Sequence, residues 1–287
     1  MRNILVTGSN GFIGKALVET LEKMRFEVLT FNSTDGDISE FDFVKRYEKQ
    51  KIDYVFHLTS KTFVPDSWEN PLKFYKTSVL GTGQILELCR YKKIPLTFVS
   101  TYLYGVPEKL PISENDEIKS NNPYAHSKYL AEELCRFYSD YYNVKVTIAR
   151  PFNVFGKNQK DIFLIPLIIK QVLYADVIKV KDLHPKRDYI YLDDLINGLV
   201  KTIYIKKRFS IYNFGSGSEL SVKEIIDIAQ KIVGTKKKII SEKQERQNEI
   251  MNIVADISKA KHDLRWEPKF SFENGIKCII EDLNNVK

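Results

Sequence analysis

Short apolar segments alternate with amphipathic segments over the first 150 residues of the chain. The apolar segments have the length of buried β-strands, and the segments between them repeat their apolar positions every three or four residues, as helices do. Strands that alternate with helices lie parallel, so the pattern predicts a parallel sheet with helices on both faces. The predicted strands are 4–7, 27–31, 54–58, 96–100 and 145–149, and the predicted helices are about 14–22, 40–50, 70–92 and 123–142.

The pattern is looser after about residue 155. We therefore expect a doubly wound α/β domain over residues 1–155 and a smaller α/β domain over residues 156–287, from which some elements return to the first sheet. A doubly wound sheet binds ligands at the carboxyl ends of its strands. The second half is predicted to contain helices at about 162–174, 193–205, 221–233 and 271–283, and strands at 189–191 and 211–214.

Composition narrows the class of protein. The chain has 287 residues, of which 43% are hydrophobic and 28% charged, as in ordinary globular proteins. No apolar stretch approaches the ~20 residues of a membrane span, so no membrane partner is expected. Cys89, Cys135 and Cys278 lie far apart without CxxC spacing. That spacing argues against a metal site and a disulfide framework, and it fits a cytoplasmic protein.

The formal net charge is +7, with short basic clusters at 206–208 and 236–238. Solvated lysine-rich faces are the simplest interpretation, and a small polyanionic substrate is the next. Nucleic acid is disfavoured as a partner, because no basic stretch is interleaved with aromatic residues on a recognisable module.

Three glycines follow the first predicted strand with the spacing GxxGxxG: Gly8, Gly11 and Gly14. The first permits a tight turn, the second lets the backbone approach a pyrophosphate, and the third lets helix and strand pack closely. The helix that begins near Phe12 offers N–H groups to phosphates. A glycine-rich turn without a ligand is the alternative, but the strand before the loop and the helix after it predict a dinucleotide site.

Tyr124 and Lys128 are four residues apart in the helix predicted at 123–142, so they share one helical face. Asn122 suits the N-cap and Pro123 the first helical position. The helix dipole and the nearby cation both favour the phenolate form of a tyrosine whose reference pKa is about 10. The pair predicts a tyrosine acid/base that works near neutral pH, with a surface pair or a packing tyrosine as the alternative.

The glycine loop and the Tyr-x-x-x-Lys pair together resemble the short-chain dehydrogenase/reductase superfamily. Longer motifs resemble its extended branch of sugar-nucleotide epimerases, dehydratases and reductases. The resemblance implies a Rossmann-like doubly wound sheet with a smaller C-terminal substrate domain, a nucleotide-diphosphate sugar as substrate, and a homodimer formed through helices 70–92 and 123–142. The matching segments are 7–14, 57–60, 81–82, 100–105, 123–128, 150–156, 187–194, 212–217 and 255–260.

The resemblance also implies a nicotinamide cofactor. Family members usually hold the ribose of NAD with an acid at the tip of the second strand, whereas Asn32, Ser33 and Thr34 stand here. Amide and hydroxyl groups can hydrogen-bond a 2′-phosphate that a carboxylate would repel, which favours NADP, with NAD as the alternative. A merely polar loop explains these residues equally well. The implied cofactor contacts are Gly8, Asn10, Gly11, Phe12, Ile13, Gly14, Asn32, Ser33, Asp37, Ile38, Leu58, Thr59, Ser60, Lys128 and Pro151.

By the same resemblance Tyr124 is the acid/base and Lys128 orients the cofactor ribose. Ser100 and Thr101 are the candidates for the hydroxyl that steadies the carbonyl oxygen, unless they only satisfy a turn. Dehydratases of this branch carry Asp-Glu at the next two positions, where Tyr102 and Leu103 stand, so dehydration is disfavoured.

The resemblance places further residues on the substrate side. Guanidinium groups suit a diphosphate because they pair with it through two hydrogen bonds, although salt bridges with neighbouring carboxylates at 188 and 245 are the alternative. The candidate substrate contacts are Tyr102, Asn153, Arg187 and Arg246.

Two histidines and an acidic pair receive no catalytic role. His57 stands at a cofactor-wall position of the family, but a buried histidine bonded to backbone is the preferred interpretation. His126 points to a different helix face from Tyr124. The pair Asp193–Asp194 is interpreted as an N-terminal cap rather than a metal site.

These expectations combine into an NADP-dependent reductase of a nucleotide-activated 4-keto-6-deoxy sugar. Hydride would reach C4 of the sugar while Tyr124 protonates the oxygen. An NAD-dependent 4-epimerase of a nucleotide sugar is the alternative, since it uses the same tyrosine. A cofactor-binding protein without catalysis is disfavoured, because Tyr124, Lys128 and the hydroxyls of Ser100 and Thr101 are all present.

Overall fold

The computed structural model describes residues 2–242 and 250–285, and within them a six-stranded sheet forms the centre of the molecule. All neighbouring strands in this sheet are parallel. The first five are β1 (Asn3–Thr7), β2 (Glu27–Phe31), β3 (Tyr54–His57), β4 (Leu96–Val99) and β5 (Val146–Pro151), and the sixth is β10 (Phe209–Phe214). Their order is β10-β5-β4-β3-β1-β2, which confirms the predicted Rossmann-like doubly wound fold.

Helices cover both faces of this sheet, and each face carries its own apolar core. Between the strands lie α1 (Phe12–Lys23), α2 (Phe43–Tyr47), α3 (Val64–Glu69), α4 (Pro71–Tyr75), α5 (Gly81–Lys92) and α6 (Pro123–Tyr142). The predicted helix at 70–92 is divided, because a π-helical turn over Lys76–Leu80 separates α4 from α5. The predicted helix at 40–50 shortens to α2, because the carboxylate of Asp42 accepts from Lys45 N and fixes the start of the helix.

The second half of the chain builds a third apolar core and also returns to the central sheet. Strand β10 pairs with β5 over its whole length. The other strands are β6 (Asn153–Phe155), β7 (Val177–Val180), β8 (Lys186–Arg187), β9 (Tyr189–Tyr191), β11 (Leu220–Ser221) and β12 (Lys238–Ser241), and they pair as β6-β9, β8-β11 and β7-β12. The helices are α7 (Leu164–Tyr174), α8 (Leu192–Thr202), α9 (Val222–Val233), α10 (Ser258–Leu264) and α11 (Phe272–Asn285).

Several of these elements are too short for periodicity to reveal. Strands β8 and β11 have two residues each, and β6 has three, so no alternation of apolar and polar positions can develop. Whether the two halves behave as domains with a boundary near residue 155 stays a prediction.

Helix α6 begins as its sequence predicts. The side chain of Asn122 accepts from Ala125 N at 2.8 Å, and Pro123 occupies the first turn. The buried residues of the helix recur every three or four positions and face the sheet. Lys128 and Glu132 belong to this buried face, at 1% and 3% exposure. The buried face with which α6 packs against the core therefore includes a lysine and a glutamate.

Glu132 meets Arg150 of β5, which is also buried. Arg150 Nε lies 3.1 Å from Glu132 Oε1, and Arg150 Nη1 donates to the hydroxyl of Tyr104 at 2.9 Å. The Tyr104 hydroxyl in turn donates to Asn213 Oδ1 at 2.6 Å. The network joins α6, β5 and β10 to the loop that contains Tyr104. Buried ion pairs of this kind cost about 3–5 kcal/mol when one partner is removed, since the other is left as an uncompensated charge.

The acidic pair at the start of α8 does not act as the predicted cap. The N-cap position is Tyr191, and no side chain caps the helix there. Asp194 is 1% exposed, and its two carboxylate oxygens accept from Lys269 N and Phe270 N. The carboxylate therefore anchors the segment before α11, because those backbone N–H groups need a buried acceptor.

His57 is fully buried at the end of β3, as expected, but its partners are side chains rather than backbone. Its Nδ1 lies 2.7 Å from Thr7 Oγ1, and its Nε2 lies 3.1 Å from Thr82 Oγ1. Burial lowers the pKa of His57 to about 3, and the positive charge of Lys128 acts in the same direction. The imidazole is therefore neutral in the folded protein at neutral pH.

This histidine makes the stability of the fold sensitive to acid. The folded pKa is below the unfolded value, so the unfolded chain takes up the proton first and the free energy of unfolding falls as pH drops from about 6.5 towards 3. We expect His57→Gln to destabilise the protein by about 1–2 kcal/mol at pH 7, through the loss of buried hydrogen bonds. The difference from the unchanged protein should shrink at pH 4 in urea unfolding. A difference that does not depend on pH would contradict this account.

Candidate active site

The glycine loop lies at the carboxyl ends of β1 and β3. Gly8 has φ +72°, and a methyl group added there would lie 2.8 Å from Thr59 N. A methyl group on Gly14 would lie 2.1 Å from Gly8 O, so the fold itself requires glycine at both positions. At Gly11 the same methyl would meet only Gly8 O at 3.2 Å, a contact that small shifts relieve. The absence of a side chain at Gly11 thus fits the close approach of a ligand.

The start of α1 and two unpaired hydroxyls fit a cofactor in the same crevice. Helix α1 follows the N-cap Gly11 without any side-chain cap, so no side chain occupies its first N–H groups and an anion could bind them. The hydroxyl oxygens of Thr59 and Ser100 are buried and have no hydrogen-bond partner within the described protein. Buried hydroxyls without partners are costly, so a polar ligand is the natural partner for both.

The end of β2 carries no acid at residues 32–34, as the sequence predicts, but Asp35 follows in the loop. Its Oδ2 accepts from the backbone N of Asn32 at 2.9 Å. Asn32 Oδ1 accepts from Thr34 N at 3.0 Å and from Thr34 Oγ1 at 2.8 Å. The loop therefore presents amide and hydroxyl groups together with one exposed carboxylate, and the sequence reading missed that carboxylate because it stands beyond the strand.

Asp37 and Ile38 follow the same loop. Asp37 Oδ1 accepts from the backbone N and the hydroxyl of Ser39, and these hydrogen bonds hold the pKa of Asp37 below its usual value. Ile38 is 3% exposed and packs against Gly81, where a methyl group would come within 2.6 Å of it. The side chain of Ile38 is thus part of the core rather than of an open pocket.

The remaining predicted cofactor residues surround the loop. Leu58 N donates to Thr7 O at 3.1 Å, so the segment after β3 lies against the end of β1. Pro151 is buried at the end of β5, opposite Phe214 of β10. The others occupy the glycine turn, the first turn of α1, the β2 loop and the segment after β3: Asn10, Phe12, Ile13, Ser33 and Ser60.

Tyr124 lies in the first turn of α6, with the ring of Phe74 edge-on at 6.3 Å. The side chain of Thr101 is close enough to the Tyr124 hydroxyl to act on its pKa. Burial raises the pKa of Tyr124 to about 12, and the side chain of Thr101 opposes this shift. The sequence predicted a lowered pKa that favours the phenolate. That prediction is wrong for the protein alone, because desolvation of the phenol oxygen raises the pKa by more than the helix dipole lowers it.

Lys128 points from the same helix to the end of β4. Its Nζ donates to Val99 O at 2.7 Å and lies 4.1 Å from the centre of the Phe98 ring. Burial lowers the pKa of Lys128 to about 7, and the carboxylate of Glu132 opposes this shift. The ammonium is thus placed beneath the crevice by α6, while Glu132 one turn later supports its charge.

The structure separates the two hydroxyl candidates. Thr101 is the one beside the Tyr124 phenol. Ser100 is 5% exposed, its backbone N donates to Ala149 O at 2.8 Å, and its hydroxyl has no described partner. Thr101 is therefore better placed to share a substrate oxygen with Tyr124, and Ser100 lies deeper at the strand end.

Tyr102 and Leu103 occupy the positions where dehydratases carry an acid pair. The Tyr102 ring stacks on Phe152 with centroids 5.3 Å apart, and its hydroxyl lies 3.5 Å from Asn153 Oδ1. Leu103 is 1% exposed. Neither side chain is a carboxyl group of the kind that dehydratases carry at these positions, so dehydration remains disfavoured.

The substrate-side candidates gather around β6 and β8. Asn153 Nδ2 donates to Asp188 O at 3.0 Å. Arg187 Nη1 donates to Lys186 O at 2.9 Å and to Met251 O at 3.4 Å. The fourth predicted contact, Arg246, lies outside the described residues.

His126 lies away from this chemistry. It is exposed, and its Nδ1 lies 3.0 Å from the hydroxyl of Tyr75 on α4, so it faces a neighbouring helix.

The sequence did not reveal the structural importance of Asp188. It was considered only as a salt-bridge neighbour of Arg187, yet it is fully buried and bonded to three separate segments. Its position beside an arginine in a matched motif was the only signal in the sequence.

The described residues show neither a metal centre nor a membrane span. No group of three or more His, Cys, Asp or Glu side chains comes together among them in a way that could hold a metal ion. None of the helices in the described part of the chain is both long and apolar enough to cross a bilayer.

The fold and the crevice define a nicotinamide-dinucleotide-binding protein of Rossmann type. The model of the NAD dependent epimerase/dehydratase family matches residues 4–215, and the chain belongs to that family. It is therefore an NAD(P)-dependent enzyme, as the motifs predicted.

Named relatives confirm the predicted sugar-nucleotide branch. A putative UDP-glucose 4-epimerase of Methanocaldococcus jannaschii is 32% identical over 304 residues, which cover 98% of each protein. The GDP-6-deoxy-D-mannose reductase of Pseudomonas aeruginosa is 27% identical over 294 residues, which cover 98% of this chain and 97% of the reductase. The structure of RMD from Pseudomonas aeruginosa complexed with NADPH matches all of both chains, with a TM-score of 0.91 and 25% identity.

The geometry of the hydroxyls predicts unequal effects of their removal. We expect Thr101→Val to lower kcat by about 10²-fold, because it removes the donor beside the Tyr124 phenol. Tyr124→Phe should lower kcat by about 10²–10⁴-fold, because it removes the proton donor. Cofactor binding, measured by fluorescence titration, should change little in both variants.

Ser100→Ala is the matched control for these two variants. Its kcat should fall by less than that of Thr101→Val, since Thr101 and not Ser100 is the hydroxyl that acts on the pKa of the Tyr124 phenol. Equal losses in kcat for the two hydroxyl variants would remove the distinction between them.

Proposed function

We propose that this protein is an NADP-dependent reductase of a nucleotide-activated 4-keto-6-deoxy sugar. The observation that carries the proposal is the loop after β2, where Asn32 and Thr34 hydrogen-bond each other and the strand end presents amide and hydroxyl groups rather than a carboxylate. Such groups can hydrogen-bond a 2′-phosphate that a carboxylate would repel. Tyr124 is the proton donor that the reduction of a ketone needs.

Each residue has one task in this reaction. The nicotinamide, when bound, supplies the hydride for C4 of the sugar. Tyr124 donates its proton to the C4 oxygen, and Thr101 holds that oxygen by a hydrogen bond while negative charge develops on it. Lys128 lies on the same helical face and would hold the cofactor ribose, and its positive charge favours the transfer of the proton away from the phenol.

The glycine loop and the β2 loop support the cofactor part of the proposal. Gly11 and the start of α1 would receive the pyrophosphate. Asn32 and Ser33 provide amide and hydroxyl groups for a 2′-phosphate. The relative whose structure contains NADPH is consistent with this choice.

The substrate part rests on Asn153 and Arg187, which would hold the diphosphate. A guanidinium group pairs with phosphate through two hydrogen bonds, and an amide N–H adds a third. Tyr102 stacks on Phe152 and reaches Asn153 with its hydroxyl. Its ring would form a wall for the sugar.

An NAD-dependent 4-epimerase of a nucleotide sugar is the second candidate. Asp35 favours it, because a carboxylate at the β2 loop suits a free ribose hydroxyl better than a phosphate. The 32% identity with a putative UDP-glucose 4-epimerase favours it as well. The two candidates differ in what happens to the cofactor, since a reductase consumes it and an epimerase regenerates it.

The reaction can be tested with purified protein. A GDP-4-keto-6-deoxyhexose and NADPH should be converted with the loss of one reduced cofactor per sugar, measured by nicotinamide absorbance and product chromatography. NADPH should bind at least about tenfold tighter than NADH, one factor of ten being 1.4 kcal/mol. Interconversion of UDP-glucose and UDP-galactose without added cofactor and without an absorbance change would refute the reductase and establish the epimerase.

We also propose a homodimer formed by α5 and α6. These helices pack side by side, with Leu134 against Gly83, and their outer face carries exposed apolar side chains. A large exposed apolar patch on a helix pair is typical of an interface. The exposed side chains include Tyr91, Leu130, Phe137 and Tyr141.

A charge in this face should separate the subunits. Phe137 is 48% exposed, so Phe137→Asp can be accommodated by the folded monomer. We expect the mass measured by light scattering to fall from two chains to one. Tyr204→Asp, at an exposed site distant in sequence from both helices, is the matched control and should leave the mass unchanged. A monomeric starting protein would contradict the proposed dimer.

A further inference from the structure

We propose that Asp188 is a positioning residue for the substrate, because it fixes Asn153 in the orientation that binds the diphosphate. The inference rests on the proposed function and names a residue to which no role in binding has been given above. The side-chain carboxylate of Asp188 anchors the residue, and its backbone carbonyl orients Asn153.

The carboxylate of Asp188 is fully buried and every contact described for it is a donor. Its Oδ1 accepts from the backbone N of Ser216 at 2.6 Å and from the Ser216 hydroxyl at 2.8 Å. Its Oδ2 accepts from Gly217 N at 3.0 Å and from Ala255 N at 3.1 Å. A carboxylate is the side chain suited to this site, because it accepts at both oxygens and donates at neither.

The surrounding backbone is shaped to receive this carboxylate. A methyl group on Gly215 would lie 2.6 Å from Asp188 Oδ2 and 2.5 Å from the Cβ of Ala255. The two segments that contain Gly215 and Ala255 can therefore close on Asp188 only because Gly215 has no side chain. The anchored carboxylate fixes where the backbone of Asp188 lies.

The backbone carbonyl of Asp188 then holds Asn153 twice. It accepts from Asn153 N at 3.1 Å and from Asn153 Nδ2 at 3.0 Å. With one Nδ2 proton used in this way, the amide cannot rotate without losing a hydrogen bond. Its second Nδ2 proton remains for a phosphate oxygen, and its Oδ1 remains for the Tyr102 hydroxyl, which lies 3.5 Å away.

The same arrangement affects both proposed diphosphate contacts. Asp188 follows Arg187 in the chain and holds Asn153 by two hydrogen bonds, so a shift of Asp188 moves both side chains. The glycine loop is not among the partners described for Asp188. We therefore expect substrate affinity, rather than cofactor affinity, to depend on this buried carboxylate.

The test compares Asp188→Asn with Asp194→Asn. Asp194 is equally buried and also accepts two backbone N–H groups, but those belong to the segment before α11. Each substitution places an amide where a carboxylate accepted from backbone donors, so both should lower the melting temperature. The dissociation constants of GDP, UDP and dTDP are measured by calorimetry, that of NADPH by fluorescence, and KM and kcat by turnover.

We expect Asp188→Asn to raise KM and the nucleotide dissociation constant about tenfold, and to change kcat and NADPH affinity less than threefold. Asp194→Asn should leave all four unchanged. Equal nucleotide affinity in the two variants would overturn the inference, and so would a uniform loss of cofactor and nucleotide binding in Asp188→Asn.

Ser216→Ala covers the case in which Asp188→Asn does not fold. It removes a single donor to Oδ1, and it should raise KM in the same direction by a smaller factor, whereas an unchanged KM would overturn the inference. If the unsubstituted protein binds none of the three nucleotides, the proposed function is refuted. If it binds them and Asp188→Asn binds them equally well, only the inference about Asp188 is refuted.

Discussion

The ion pair between Glu132 and Arg150 brings two charged side chains into the space between α6 and β5, where both are almost completely buried. Neither charge is tolerable there alone, so the helix and the strand must stay in register for the fold to exist. Because Lys128 lies one turn before Glu132, the same register places its ammonium at the end of β4. The position of α6, which carries Tyr124 and Lys128, is therefore a consequence of how a buried charge is neutralised.

The electrostatic character of the crevice follows from burial more than from the helix dipole. Three groups around it, His57, Tyr124 and Lys128, are each shifted towards their neutral forms by desolvation. At Lys128 the carboxylate of Glu132 acts against this shift, because its negative charge raises the pKa of the lysine.

The sequence was sufficient for the central sheet and for the start of α6, because long periodic segments and an Asn-Pro cap are local signals. It was insufficient for β6, β8 and β11, which pair through contacts distant in sequence. The same limit explains the errors in the site. The pKa of Tyr124 depends on burial, the partners of His57 on strand packing, and the role of Asp194 on a segment some 75 residues later, as its bonds to Lys269 and Phe270 show.

Strand β10 comes from the second half of the chain, yet it lies beside β5 in the central sheet and carries Asn213, which accepts the hydrogen bond of the Tyr104 hydroxyl. A fragment that stops near residue 155 would leave one edge of β5 without its partner and the Tyr104 hydroxyl without its acceptor. The first half of the chain is thus not an exchangeable module. A recombination event that replaced the second half would have to supply both a compatible sixth strand and an acceptor for the Tyr104 hydroxyl.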